Sequence, residues 1–154
     1  MCGQDSGAHG THAGDLVMLG LTIGTFDFMH EGHAALIGRA MKLVDRLIVG
    51  VNTDEFVESY KGVKPHYTLE QRMSAIEDAF PTVGVCISYG TGWSLIETIT
   101  PDVFIIGSDW RSKNLYKQLS GGSRSFDMPP VIYLPYTEGI SSTQLRDAHT
   151  HRNA

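Results

Sequence analysis

GTFDFMHEGH, residues 24–33, lies between two short apolar runs, VMLGLTI at residues 17–23 and RLIVGV at residues 46–51. Both runs have the length and the mostly apolar, unalternating character of buried strands, whereas residues 33–44 repeat apolar side chains at helical spacing. A strand, a helix and a second strand in this order form a unit whose strands lie parallel and whose helix crosses one face of the sheet. This unit decides the fold.

The same alternation continues along the chain. Thr68 stands at capping-box spacing from Gln71 and is predicted to begin a helix that Pro81 ends. Further strands are predicted at residues 83–87, 103–106 and 131–133, and further helices at residues 93–99 and 142–149. We therefore predict a single α/β domain with a Rossmann-like, doubly wound parallel sheet of five strands and helices on both faces. In such sheets, ligands bind at the carboxyl ends of the strands.

Length and charge restrict the number of domains and the class of partner. A chain of 154 residues is the size of one domain, and the formal net charge of -5 without a Lys/Arg cluster disfavours a nucleic-acid partner. No apolar run reaches the roughly 20 residues needed to cross a membrane, and no signal-peptide pattern is present. We expect a cytoplasmic domain at residues 16–149 that binds neither nucleic acid nor membrane, with a flexible leader at residues 1–15 and a flexible tail at residues 150–154.

Two histidines, His30 and His33, flank Gly32 where the first strand is predicted to turn into a helix. A helix amino terminus offers unpaired N–H groups and the positive end of a dipole, and Gly32 allows a phosphate to approach the backbone closely. Side chains three residues apart point the same way, so both imidazoles can donate hydrogen bonds to one phosphate. Taken alone, the pair has an alternative explanation, in which both histidines only cap or pack at the turn.

A second segment, TEGISSTQLR at residues 137–146, also follows a predicted strand and opens a predicted helix. The hydroxyls and backbone amides of Ser141, Ser142 and Thr143 can hold a polyphosphate, and Arg146 can swing to the same helix end. The alternative is an ordinary Ser/Thr helix cap. Because both segments follow strands of one parallel sheet, we expect them at the same edge of that sheet.

Residues 24–33 resemble the GTFDxxHxGH signature of the cytidylyltransferase-like nucleotidyltransferases, and residues 137–146 resemble the family's second signature, close to RTEGISTT in the glycerol-3-phosphate enzymes. NTDEF at residues 52–56 and GSDW at residues 107–110 extend the resemblance to about residues 17–147. It implies transfer of CMP from CTP to a phosphorylated small alcohol, glycerol 3-phosphate above all, with release of pyrophosphate. It also implies Mg²⁺ bound with the triphosphate rather than by a protein metal site, and a homodimer.

The resemblance implies roles for individual residues. In the family the two histidines stabilise charge on the α-phosphate as it is attacked. The resemblance names four catalytic residues, the two histidines and two further cations: His30, His33, Lys61 and Arg146. Three would contact the acceptor: Asp27, Lys61 and Arg72. The nucleotide would be bound by Gly24, Thr25, Phe26, His30, Gly32, His33, Lys64, Asp109, Trp110, Thr137, Gly139, Ile140, Ser141, Ser142, Thr143 and Arg146.

Each supporting residue also has a simpler explanation. The two lysines are predicted to lie in a mobile Gly/Pro loop, YKGVKPHY. The alternative is that both are simply exposed to solvent and have no role in the site. Asp109 could cap a helix, Trp110 could belong to the core, and Arg72 could be an ordinary exposed helix arginine.

Three positions depart from the glycerol-3-phosphate pattern. Tyr136 and Phe80 stand where those enzymes carry arginine, and residues 92–100 contain no lysine. Each loss removes a cation, so we expect either a raised Michaelis constant for glycerol 3-phosphate or a bulkier alcohol that packs on Phe80 and Tyr136. Two alternatives stay open: adenylyl transfer from ATP to a sugar phosphate, and a nucleotide-binding module without turnover.

The second signature generates a prediction for Arg146 and Thr143. Replacing either with alanine should weaken CTP binding more than it lowers turnover, because both groups grip the pyrophosphate portion in the ground state and the transition state alike. Loss of one charge-assisted hydrogen bond, about 1.5–3 kcal/mol, should raise the dissociation constant of CTP about tenfold or more in Arg146→Ala. Calorimetric titration measures this constant. An unchanged dissociation constant would indicate that this segment is only an ordinary Ser/Thr helix cap.

Overall fold

The structure, a computed structural model, describes residues 16–28, 31–107 and 128–135. It contains five strands: β1 (Leu19–Gly24), β2 (Arg46–Asn52), β3 (Gly84–Ser88), β4 (Val103–Gly107) and β5 (Val131–Leu134). It contains four helices: α1 (Glu31–Leu43), α2 (Asp54–Lys61), α3 (Leu69–Ala79) and α4 (Trp93–Ile99). Within these ranges no helix is long and apolar enough to span a membrane. The helix predicted at residues 142–149 lies outside them.

All five strands are parallel, and their order across the sheet is β3-β2-β1-β4-β5. Strand β1 occupies the centre and pairs with β2 along its whole length, from Leu19 opposite Arg46 to Gly24 opposite Val51. The chain first builds outward from β1 on one side and then returns to the other, so the order reverses between β1 and β4. The doubly wound prediction is confirmed, and the reversal marks the crevice where such sheets bind ligands.

Apolar side chains cover both faces of the sheet. Because successive strand residues point to opposite faces, neighbours such as Ile48 and Val49 belong to different clusters. The first cluster joins the strands to α1 and α3 and includes Ile37, Val49, Val51, Ile76 and Ile105. The second joins them to α4 and includes Leu21, Ile48, Trp93, Ile96 and Phe104. Burial on both faces explains why the strands form mostly apolar runs without polar alternation in the sequence.

Helix α2 is the main difference from the sequence prediction, which placed no helix between β2 and Thr68. The helix has only eight residues, fewer than the roughly 11–18 over which an apolar period is read, and its clearest signals lie at its ends. The Thr53 side chain caps its amino terminus, and Gly62 follows its last residue in the left-handed conformation with φ of 84°. Lys61 is therefore the last residue of a helix rather than part of a loop, and only Lys64 lies in the loop beyond.

The packing of β2 against α4 generates a prediction about stability. A Cβ atom on Gly50 would lie 2.6 Å from Leu95 Cδ2 and 3.2 Å from Ile23 Cγ1, whereas a Cβ on Gly38, inside α1, would have no neighbour within 4 Å. Gly50→Ala should lower the free energy of unfolding by about 1–3 kcal/mol through overpacking. Gly38→Ala should raise it by about 0.5–1 kcal/mol because alanine favours the helix.

Urea unfolding of the two variants beside the parent protein measures both free energies. Equal stability of Gly50→Ala and the parent would show that α4 does not pack against Gly50 as described.

Candidate active site

The chain makes a sharp turn directly after β1, at the carboxyl edge of the sheet. Phe26 is buried in the first apolar cluster with φ of 52°, a left-handed conformation that is unusual for an aromatic residue. A Cβ on Gly24 would lie 3.0 Å from the Phe26 ring, so glycine allows this close approach. Since the ring faces the core, any contact between Phe26 and a nucleotide would have to come from its backbone.

His33 lies in the first turns of α1, and two contacts orient its ring. Its Nδ1 atom is 2.9 Å from the carbonyl oxygen of Phe28, and its ring packs edge-on against Phe26 with centroids 5.2 Å apart. A carbonyl oxygen can only accept, so Nδ1 carries the proton in this hydrogen bond. The Nε2 atom can then donate to a phosphate only when the ring is protonated. Gly32 lies in the same helix, and His30 lies outside the described residues.

Helix α2 brings Tyr60 to the segment after β1. The Tyr60 hydroxyl is 3.4 Å from Thr25 Oγ1, and Lys61 Nζ is 5.9 Å from the centroid of the Tyr60 ring, within cation–π range. Thr25 and Lys61, two predicted site residues, thus both lie near one half-exposed tyrosine. Sequence analysis missed Tyr60, because its position beside Thr25 depends on the helix that was not predicted.

Asp27 is buried, with 3% of its surface exposed, and it contacts the segment that precedes α3. Its Oδ2 accepts a hydrogen bond of 2.8 Å from the backbone N–H of His66, and its Oδ1 accepts one of 3.0 Å from that of Tyr67. The carboxylate therefore joins the turn after β1 to the end of the lysine-containing loop. These partners are protein groups, and acceptor contact by Asp27 stays a prediction.

Arg72 is also buried, with 1% exposed, so its alternative explanation as an exposed helix arginine is wrong. Its Nη1 donates to the carbonyl oxygens of Thr25 at 2.9 Å and Asn52 at 2.8 Å, and its Nε donates to that of Tyr67 at 3.1 Å. Its Nη2 forms an ion pair with Asp54. With four of its five N–H donors engaged by protein groups, Arg72 joins four segments of the site, and acceptor contact stays a prediction.

Phe80 lies away from this edge of the sheet. It caps the carboxyl end of α3 and packs against the first apolar cluster, and its carbonyl accepts a hydrogen bond from Val83 just before β3 begins. The eleven residues of α3 carry the chain about 16 Å from the edge where Thr68 and Arg72 lie. An acceptor at the carboxyl edge cannot pack on Phe80 of the same chain. That part of the sequence interpretation is wrong, and the expected weakening of glycerol 3-phosphate binding rests on Tyr136 and residues 92–100.

Many residues of the predicted site lie outside the ranges that the structure describes. They are His30, Asp109, Trp110, Tyr136, Thr137, Gly139, Ile140, Ser141, Ser142, Thr143 and Arg146. Within residues 16–28, 31–107 and 128–135, no three His, Cys, Asp or Glu side chains lie close enough together to hold a metal ion.

A cavity of about 760 Å³ opens at the opposite edge of the sheet, where the strands begin. Its lining includes Val17, Val44 and Val83 together with two carboxylates, Asp45 and Asp102. Among the described residues that line it, Arg46 is the single basic one. A triphosphate requires several positive groups close together, and this lining does not provide them. The carboxyl edge is therefore the better candidate for a phosphate-binding site.

The fold and the contacts after β1 and β2 define a Rossmann-like α/β protein whose candidate site lies at the carboxyl edge of its central strands. Residues 21–148 match the cytidylyltransferase-like family. The chain belongs to this family, which confirms the resemblance seen in the two signatures.

Two curated relatives and one solved structure illustrate the similarity. The glycerol-3-phosphate cytidylyltransferase of Bacillus spizizenii is 38% identical over 128 residues, which covers 82% of this chain and 92% of that protein. The glycerol-3-phosphate cytidylyltransferase of Staphylococcus aureus is 36% identical over 128 residues, covering 82% and 90%. The lipopolysaccharide core biosynthesis protein of Thermoplasma volcanium superposes with a TM-score of 0.59 at 21% identity, covering 79% and 97%, and supports the fold alone.

Proposed function

We propose that this protein transfers CMP from CTP to the phosphate of a small phosphorylated alcohol, with glycerol 3-phosphate as the expected acceptor, and releases pyrophosphate. The observation that carries the proposal is the 38% identity to a glycerol-3-phosphate cytidylyltransferase over 92% of that protein's length. The position of the first signature directly after β1, at the ligand-binding edge of a doubly wound sheet, supports it.

In the proposed reaction, a phosphate oxygen of the acceptor attacks the α-phosphorus of CTP. A new P–O bond forms while the bond between the α-phosphorus and the oxygen bridging to the β-phosphate breaks, and that bridging oxygen leaves with pyrophosphate. The attacking oxygen is already anionic near neutral pH, so the enzyme needs little general-base assistance. Catalysis then rests on alignment of the two substrates and on donors aimed at the charge of the transition state.

The described residues can supply part of this arrangement. His33, oriented by the Phe28 carbonyl, would donate from a protonated Nε2 to the α-phosphate together with His30. Thr25 would lie along the phosphates, and the exposed Lys61 and Lys64 would neutralise charge as the pyrophosphate leaves. Long, flexible lysine side chains suit this task because they can follow a charge that moves during the reaction.

Mg²⁺ is proposed to enter with the triphosphate, where it would neutralise the leaving group. Two carboxylates lie near the described edge, Asp27 and Asp54, and both already have protein partners: backbone amides for Asp27 and Arg72 for Asp54. This donor set fits a metal held mainly by phosphate oxygens better than one held by the described protein residues. A homodimer is a further proposal, which rests on the family resemblance, and the cytoplasmic location expected from the sequence stays a prediction.

A substrate screen tests the proposal. The full chain is incubated with CTP or ATP, Mg²⁺ and a panel of phosphorylated polyols and bulkier phosphorylated alcohols, and pyrophosphate release is followed while mass spectrometry identifies the product. We expect CTP with glycerol 3-phosphate to give CDP-glycerol. Turnover with ATP but not with CTP would favour the adenylyl-transfer alternative. Nucleotide binding without any product would favour the nucleotide-binding module without turnover.

The contact between His33 and Phe28 generates a prediction about turnover. In His33→Asn, the side-chain amide nitrogen can still donate to the Phe28 carbonyl, but no group remains at the position of Nε2. The variant should therefore fold normally and bind CTP nearly as well, while its turnover falls about 10²-fold or more through loss of a transition-state donor. His30→Ala and His33→Ala should show losses of the same size.

Steady-state rates with both substrates saturating, together with a thermal unfolding curve, measure these effects. If a folded His33→Asn variant turned over within a few-fold of the parent, His33 would not act on the α-phosphate.

A further inference from the structure

Two exposed lysines, Lys61 and Lys64, belong to a short segment (residues 61–65, the lysine segment) between α2 and α3. At its start, Gly62 closes α2 by donating its backbone N–H to the carbonyl oxygen of Glu58. Beyond its end, the backbone N–H groups of His66 and Tyr67 donate to the buried carboxylate of Asp27. The segment is therefore tied at both sides, and few residues lie between the two ties.

Arg72 strengthens the second tie from the other direction. Its Nε donates to the Tyr67 carbonyl and its Nη1 to the Thr25 carbonyl, so one side chain joins Tyr67, just beyond the lysine segment, to the turn after β1. Asp27 belongs to the same turn. The two buried charged groups thus clamp residues 66 and 67 together: Asp27 accepts from both backbone amides, and Arg72 donates to the Tyr67 carbonyl.

We propose that Asp27 and Arg72 are positioning residues, which clamp residues 66 and 67 so that Lys64 is held over the phosphates of the nucleotide, rather than groups that contact the acceptor. The inference rests on the proposed function for its substrate and on the contacts above for its geometry. Three observations carry it: both side chains are nearly fully buried, both oxygens of Asp27 accept from backbone amides, and four N–H groups of Arg72 have protein partners.

Hydrogen exchange of the unliganded protein tests the clamp without any substrate. In Asp27→Asn, one acceptor oxygen becomes an NH₂ group that faces a backbone N–H, so exchange across residues 62–67 should accelerate about tenfold or more. Asp102→Asn is the matched control, because Asp102 Oδ2 also accepts from a backbone N–H, that of Leu19, but at the amino edge of the sheet. The control should leave exchange at residues 62–67 and the turnover unchanged.

Kinetics of a double-mutant cycle test the consequence for Lys64. If Asp27 acts by holding Lys64, Asp27→Asn and Lys64→Ala should each lower kcat/KM for CTP about tenfold or more, and the double variant should be worse than either by no more than about threefold. If Asp27 contacts the acceptor directly, the Michaelis constant of the acceptor should rise selectively, the losses should multiply, and exchange at residues 62–67 should stay at the parent rate. Losses that multiply in the double variant, or exchange at residues 62–67 that stays at the parent rate, overturn the proposal.

Arg72→Lys keeps the charge, loses the fork of donors and provides the second variant; it should also accelerate exchange at Tyr67. If neither variant folds, the parent protein answers the question, because the amides of His66 and Tyr67 should exchange at least tenfold more slowly than those of Val63 and Lys64. Equal rates there would contradict the clamp. If the parent protein forms no CDP-glycerol while the exchange results hold, the proposed function fails and the clamp stands.

Discussion

The guanidinium of Arg72 is the contact on which the arrangement of the carboxyl edge depends. Thr25 follows β1, Asn52 ends β2, Asp54 begins α2 and Tyr67 precedes α3, and Arg72 bonds to all four. A buried charge costs several kcal/mol to remove from water unless its donors find partners, and here four of five do. Loss of this side chain would leave three carbonyl oxygens and the Asp54 carboxylate without this donor. The ends of two neighbouring strands would then lose their common anchor.

Much of the fold could be predicted because burial on both faces leaves a plain signal. Runs such as residues 47–51 and 103–106 carry no polar side chain, as a sheet buried on both faces requires, and the capping box at Thr68 marks the start of α3. Helix α2 was missed because its eight residues are fewer than the stretch over which an apolar period is read. Its end signals, an N-cap at Thr53 and a following Gly62, are present in the sequence and could have revealed it.

The site was harder to predict, since its contacts join residues distant in the chain. Nothing in the local sequence indicates that Asp27 meets backbone amides 39 and 40 residues further on, or that Arg72 is buried. A resemblance assigns residues to a function but not to an edge of the sheet, and so Phe80 was placed at the acceptor although α3 carries it away. With Arg72 engaged, the described residues proposed to act on the phosphates are Lys61, Lys64 and His33, few groups in a chain of formal net charge -5.

The location of the nucleotide is the most direct test of the central claim, that the carboxyl edge around the turn after β1 is the active site. Hydrogen exchange measured with and without CTP and Mg²⁺ reports it residue by residue. We predict that CTP slows exchange at residues 25–28, in the first turn of α1 and at residues 62–67, and leaves the amino edge around Val17 and Asp102 unchanged. Protection confined to the amino edge and its cavity, with none after β1, would contradict it.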